Sequence, residues 1–188
     1  MDEIRVLHPS EAVRRRPWIY FGGDHSPGAL QLQCVARALL SDVHHQPLVP
    51  ESVDVEFVIE ADRRWTITVS GSDTGFDPDG PYRDSLLRPS RLLFAAVAAI
   101  STRAEVEVWR DDRTWRQELR GAVPLGEPLP GEPRTGQGTR MTVELDPGYF
   151  PADATLPADT SVLMVDIEGD ALPAAGDTLR IVDLRSRL

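Results

Sequence analysis

Two residue types are missing from this chain of 188 residues: asparagine and lysine. Its 20 basic residues are therefore all arginine. A P-loop NTPase needs a lysine that reaches the terminal phosphates of its nucleotide, and a Schiff base forms on a lysine amine. The composition excludes both of these mechanisms.

Cysteine, long apolar runs and excess positive charge are also scarce. The single cysteine, Cys34, excludes an internal disulfide. The longest apolar stretch includes 95–100 and is too short to span a bilayer, since a membrane helix needs about 20 apolar residues. The formal net charge is −10, whereas a protein that binds double-stranded nucleic acid normally carries excess positive charge. We therefore expect a cytoplasmic protein with no membrane segment and no direct contact with nucleic acid.

The chain does contain enough apolar sequence for a folded domain. Hydrophobic residues make up 41% of it, which is the fraction of an ordinary globular protein rather than a disordered one. Its length suits one domain with a full core, and neither an internal repeat nor a linker divides it. We expect a single domain over residues 1–188.

The helices are predicted from apolar residues that recur at three- and four-residue steps. A short helix is expected from Ser10 to Arg15 or Arg16, because Pro17 then disfavours helical geometry in the residue before it. A longer helix is expected from Pro27 to about residue 43. A third helix follows a cap at Ser90.

The strands are predicted from alternating apolar and polar residues. This alternation predicts two antiparallel hairpins, over 53–69 and 104–119, and a further strand over 139–145. Two last strands are expected near 162–167 and 178–184. Together, these helices and strands predict an α+β two-layer sandwich, with one mostly antiparallel sheet and helices on one face.

The segment Glu11-Ala-Val-Arg-Arg-Arg-Pro-Trp-Ile-Tyr-Phe-Gly22 resembles the opening signature of the ATPase domain of type II topoisomerases, such as the gyrase B subunit. That signature reads close to E-A-V-R-K-R-P-G-M-Y-I-G. In that family, arginines of this segment brace the loop around the Arg-Pro pair. The resemblance therefore implies a structural role, rather than contact with nucleic acid, for the matching positions, which are Arg14, Arg16, Pro17, Tyr20 and Gly22.

Two further segments are similar to the same family, and they occur in the family's order. Residues 105–118 resemble the strand–turn–strand that follows its third ATP motif. Gly138-Thr139, with Asp146-Pro-Gly-Tyr-Phe150, is similar to its T-G-T…F-x-P-D-x-x-x-F segment. The resemblance covers most of residues 4–150 and implies the Bergerat fold of the GHKL superfamily.

The first ATP motif of the family, E-x-x-x-N on the long helix, is missing here. Its glutamate activates the attacking water and its asparagine holds Mg²⁺. These two positions fall on Val35 or Ala36 and on Leu39 or Leu40. Loss of a general base costs about 10²–10⁴ in rate, and loss of the metal ligand removes charge neutralisation from phosphoryl transfer. The resemblance therefore implies neither a catalytic residue nor a bound metal.

The other two ATP motifs are also altered. The family's D-x-G-x-G motif, whose aspartate binds the adenine amino group, corresponds to Gly71-Ser-Asp73-Thr-Gly75. Gly71 occupies the position of the family's aspartate. Asp73 could take over the aspartate's role only if the backbone shifted locally by two residues. Adenine binding is therefore weakened but not excluded. The glycine-rich lid has no counterpart, because residues 81–94 contain no glycine. Gly75 and Thr139 are the nucleotide-contacting positions that the sequence clearly retains.

We therefore expect a degenerate pseudo-ATPase that needs no cofactor and lacks the lid, the transducer domain and the cleavage domains of the family. In the first hypothesis, Val35, Leu39 and Leu40 fill the former ATP pocket. The chain then acts through protein–protein contact as an interaction or regulatory module, with gyrase or topoisomerase as a partner by analogy.

A second hypothesis keeps a remodelled pocket, lined by Gly71, Asp73, Gly75 and Thr139. Such a pocket binds a nucleotide or another planar small molecule without hydrolysis. A residual ATPase is the third and weakest hypothesis. A zinc site built from Asp24, His25, His44 and His45 is disfavoured against ordinary surface histidines, because no third ligand has the spacing of a zinc motif.

Overall fold

An eight-stranded, mostly antiparallel sheet and four α-helices form the described part of the protein. The computed structural model describes residues 9–23, 25–26, 28–44, 52–71, 84–87, 92–165, 169–173 and 176–185. The helices are α1 Pro9–Arg15, α2 Trp18–Phe21, α3 Leu32–His44 and α4 Leu92–Ala99. The strands are β1 Asp54–Ala61, β2 Arg64–Ser70, β3 Ser101–Arg110, β4 Arg113–Arg120, β5 Val123–Pro124, β6 Leu129–Pro130, β7 Gly138–Leu145 and β8 Thr178–Asp183.

The strand order explains how the two predicted hairpins become one sheet. The order is β5-β4-β3-β7-β2-β1-β8, and β6 also pairs with β4. The hairpins β1–β2 and β3–β4 are both confirmed, and β7 joins them by pairing with β2 and β3. All pairings are antiparallel except the one between β1 and β8, which is parallel. The α+β class and the mostly antiparallel sheet are therefore as predicted.

The sheet has one buried side and one side that faces solvent, which we call the open face. Phe57, Ile67, Val106 and Met141 lie on the buried side, and none of them is more than 1% exposed. Helix α4 packs against β3, β4 and β7 on this side. Polar and charged residues alternate with these apolar ones along each strand, as in an antiparallel sheet that is covered on one side.

The long helix begins later than predicted. Helix α3 starts at Leu32, whereas the apolar pattern places its start at Pro27, which is outside the described residues. Gly28 has a φ of 72°, and the backbone N–H of Leu30 donates to the Tyr149 carbonyl at 3.1 Å. The chain is therefore held against the segment after β7 before the helix begins.

The strand predicted near 162–167 is not formed as a strand in its described part. Residues Thr160–Leu163 form a 3-10 helix instead, and Val165 makes only an isolated antiparallel bridge with Ala171. The Asp159 side chain accepts a hydrogen bond from the Ser161 backbone N–H at 3.0 Å and caps this turn. A local bond from an aspartate side chain to the backbone competes with strand pairing, and here it prevails.

Arg185 fixes the segment after β8 to the turn between β1 and β2. Its guanidinium donates to Asp62 at 2.7 Å, to Asp183 at 2.6 Å, and to the carbonyls of Leu156 and Pro157. The hydrogen bonds from Arg185 hold the pKa of Asp183 below its ordinary value. This contribution to stability is present above the ordinary aspartate pKa of about 3.9 and is lost as the pH falls through the lowered value.

We predict that Gly138→Ala destabilises the protein by about 2–3 kcal/mol. A Cβ atom at this position would overlap the Trp109 ring and the Val69 carbonyl oxygen. Chemical unfolding measures the loss. Gly126→Ala is the matched control, because no atom lies within 4 Å of its added Cβ, and it should change stability by less than about 0.5 kcal/mol. Equal stabilities of the two variants would contradict this packing.

Candidate functional site

The positions that correspond to the first ATP motif lie inside the hydrophobic core. Val35 and Leu39 are one helical turn apart on α3, and so are Ala36 and Leu40. None of the four side chains is more than 1% exposed, and all belong to one cluster of buried residues. An unpaired charge is strongly disfavoured in such surroundings. Both registers of the motif are therefore occupied by buried hydrocarbon.

Gly71 and Thr139 come together at the same end of the sheet. Thr139 pairs with Val69 on the neighbouring strand, and Gly71 follows β2 directly. The Gly71 N–H donates to the Gln137 carbonyl at 3.0 Å. Thr139 is buried, and its hydroxyl has no hydrogen-bond partner in the part of the chain that the structure describes. Asp73 and Gly75 lie outside the described residues.

Arg14 connects three separate parts of the fold. Its Nε donates to the Ala99 carbonyl at the end of α4 at 3.0 Å, and its Nη2 donates to the Gly121 carbonyl at 2.5 Å. Because Gly121 lacks a side chain, the guanidinium can lie against its backbone. Arg14 and Arg16 are both exposed overall, and it is the guanidinium of Arg14 that reaches the carbonyls of Ala99 and Gly121.

The other residues of the opening signature surround the short helix α2, which was not predicted. Pro17 is buried and forms the N-cap of α2. Tyr20 is half-buried and packs against the core. Gly22 ends the helix with a φ of 70°, and its N–H donates to the Trp18 carbonyl at 2.9 Å. Glycine adopts this backbone conformation without steric cost.

A buried glutamine, Gln117, was missed by the sequence analysis. It is 3% exposed, and its Nε2 donates to the carbonyls of Asp84 and Gly126, each at 2.8 Å. Its Oε1 accepts the backbone N–H of Leu86 at 2.8 Å. Both donors of the amide are therefore used. A polar residue at the inward-facing position two residues before Leu119 was the signal that could have found it.

Gln117 holds a segment that has no regular secondary structure of its own. Residues 84–87 lie between β2 and α4, the part of the chain where the resembling ATPases carry their lid. Two of the three hydrogen bonds of Gln117 go to this segment, and Leu86 is buried in the core. The described part of this connection is therefore fixed to β4.

The expectation of an ordinary surface histidine is wrong for His44. Its side chain is fully buried, and its Nδ1 lies 2.9 Å from the Oδ2 of Asp177. The Oδ1 of Asp177 accepts the backbone N–H of Val53 at 3.0 Å. His25, in contrast, is exposed and stacks on Trp18. The His44–Asp177 contact joins the end of α3 to the parallel strands β1 and β8.

No metal-binding cluster of three or more His, Cys, Asp or Glu residues is present among the residues that the structure describes. Asp24 and His45, two members of the disfavoured zinc hypothesis, lie outside them. A polar cleft of about 370 Å³ lies on the open face instead, and its lining includes Arg64, Arg103 and Glu105. This cleft contains none of the residues that the resemblance assigns to the nucleotide pocket.

The comparisons with known proteins do not place the chain in a family. No protein-family model matches it, and no curated protein sequence matches it. Within the described ranges, no helix combines the length and the apolar character needed to cross a membrane.

We predict that Gln117→Leu releases the segment 84–87 from β4. The substitution leaves two carbonyls and one buried N–H without partners, and each such loss costs about 1–3 kcal/mol. Native-state hydrogen exchange should show at least tenfold faster exchange of the Leu86 amide. Gln33→Leu is the control, because that side chain donates one exposed hydrogen bond to Gln31. Unchanged protection of Leu86 would refute the anchoring role of Gln117.

Proposed function

We propose that this chain is a degenerate GHKL domain, related to the ATPase domain of the gyrase B subunit, that binds another protein and does not hydrolyse ATP. The proposal assigns the Bergerat arrangement to the α+β fold described above. The observation that carries it is the burial of Val35 and Leu39 at the positions where the family has its glutamate and asparagine.

Phosphoryl transfer depends on groups that these hydrocarbon side chains cannot supply. The protein's contribution to that reaction is mainly positioning and electrostatic stabilisation around bound Mg²⁺. Val35 and Leu39 offer neither an acceptor for a proton nor an oxygen for a metal ion. The alternative register, Ala36 and Leu40, is equally apolar and equally buried. The absence of these groups therefore does not depend on how the motif is aligned.

The Gln117 anchor supports the same proposal. Lids that enclose a nucleotide act by opening and closing over it. Here Leu86 and Asp84, which flank the position of the family's lid, are tied by side-chain hydrogen bonds to β4. A segment held in this way is part of the packed domain and does not act as a moving lid.

The resemblance supplies the rest of the proposal. It suggests a regulatory or scaffolding role in the cytoplasm, with a gyrase or another topoisomerase as a partner by analogy. The net charge of −10 supports a protein partner over direct contact with nucleic acid.

Thr139 favours one alternative function. A buried hydroxyl without a partner among the described residues costs free energy unless a water molecule or a ligand satisfies it. Thr139 pairs with Val69, two residues before Gly71, near the end of the sheet where the resemblance places adenine. The alternative is that the chain binds a nucleotide or another planar small molecule without hydrolysing it.

Calorimetric titration with ATP, ADP and adenosine, with and without Mg²⁺, tests these functions together with an assay of phosphate release. We expect no heat of binding and no phosphate above the buffer control. Metal-independent binding that is lost in Thr139→Val would favour the alternative, because this substitution removes the hydroxyl and keeps the side-chain shape. Release of phosphate by the purified chain would contradict both functions.

A further inference from the structure

The segment between β4 and β7 presents an apolar strip to solvent. The strip consists of Val123, Leu125 and Leu129, which are 51%, 58% and 62% exposed. Six large apolar side chains are exposed in the described part of the protein, and three of them lie within residues 123–129. Single exposed apolar residues are normal, but a group of them marks an interaction surface.

The strip lies along the open face beside β4. Val123 pairs with Arg120, and Leu129 pairs with Arg116. Arg116 and Arg120 are exposed, whereas Gln117, next along β4, is buried, so the arginines point to the open face. Residues that pair directly across strands share a side of the sheet. Val123 and Leu129 therefore border the charged open face.

The backbone that carries the strip is fixed in place. The Leu125 N–H donates to the Glu118 carbonyl at 2.9 Å, and the Gly131 N–H donates to the Thr114 carbonyl at 2.9 Å. The Gln117 side chain holds the Gly126 carbonyl between them. A surface that is ordered before binding loses little conformational entropy when a partner arrives.

The charges that pair with the strip are positive. Arg116 lies opposite Glu107 on β3, but the Glu107 carboxylate is contacted by Arg134 and Arg140. Neither Arg116 nor Arg120 makes an ion pair with a residue in the described ranges. Glu118 lies between them on β4, but its carboxylate is bound by Arg103 at 3.0 Å. Glu127, between Leu125 and Leu129 in the chain, and Glu132, after β6, each add an exposed negative charge. Arg116 and Arg120 nevertheless pair directly with Leu129 and Val123, so the charges that adjoin the strip across the strands are positive, although the chain as a whole carries −10.

We propose that this strip binds an acidic amphipathic segment of a partner protein. Apolar side chains of the segment contact Leu125 and Leu129, and its carboxylates face Arg116 and Arg120. The inference deepens the proposed function, on which it rests, by naming the surface and the chemistry of the partner. A second copy of this chain is a poor occupant, since a two-fold contact would bring these arginines together and join two highly acidic chains.

A selection of random 16-residue peptides displayed on phage, with the full chain immobilised, tests the proposal. The enriched peptides should combine large apolar residues with several Asp or Glu residues. The double variant Leu125→Ser/Leu129→Ser should weaken the best peptide at least tenfold. The variant Arg116→Glu/Arg120→Glu should weaken it similarly and should itself select peptides rich in Lys and Arg.

Two controls separate the strip from general surface effects. Ile19→Ser removes an equally exposed apolar side chain on α2, where Ile19 is 63% exposed. Arg180→Glu reverses an exposed charge on β8, at the far side of the sheet from β4. Both should leave the affinity of the best peptide within twofold. Circular dichroism and thermal unfolding check that every variant is folded.

Several outcomes would overturn the proposal. Enriched peptides without acidic residues would do so, as would affinities that the strip variants leave unchanged. Self-association in analytical ultracentrifugation that Leu125→Ser/Leu129→Ser abolishes would assign the strip to a second copy. Binding to vesicles of phosphatidylcholine and phosphatidylglycerol that the same variant abolishes would assign it to lipid. Hydrolysis of ATP by the same preparation would refute the proposed function alone. The peptide selection would still show whether the strip binds an acidic amphipathic segment.

Discussion

The packing of hydrocarbon between α3 and the rest of the core determines which groups this helix can hold on its buried side. Val35 and Leu39 are part of the same buried cluster as Phe57 and Met141 on the sheet. A carboxylate or a hydrated metal ion placed there would lose its water without gaining a partner. The packing that stabilises the fold therefore also keeps charged groups out of positions 35, 36, 39 and 40 of this helix.

Three polar side chains act as cross-links between distant segments. Arg14 joins α1 to the end of α4 and to the turn after β4, while Gln117 joins β4 to residues 84–87. His44 joins α3 to Asp177, 133 residues away in the sequence. Each of these side chains pairs with groups that strand and helix hydrogen bonds do not use. Segments without regular secondary structure are held in this way.

The sequence predicts the local elements better than the contacts between them. Alternation locates the hairpins at 53–69 and 104–119, because each has one buried side and a short turn. It does not reveal the parallel pairing of β1 with β8, which depends on tertiary structure. It also fails at Thr160–Leu163, where the Asp159 side chain caps a turn. Of the candidate site, the burial of Val35 and Leu39 follows from helical spacing, whereas the roles of Gln117 and His44 depend on partners remote in sequence.

The prolines of β5 and β6 have a consequence for how this sheet can grow. Pro124 lies opposite Leu119, and Pro130 lies opposite Trp115, so both cover the outer edge of β4. Proline has no backbone N–H, and natural sheets use it to block edge-to-edge pairing. A partner that binds at this edge cannot extend the sheet with a further strand. It has to be recognised through contacts between side chains. The prolines thus disfavour edge-to-edge β-pairing beside three of the large apolar side chains that are exposed in the described part of the protein.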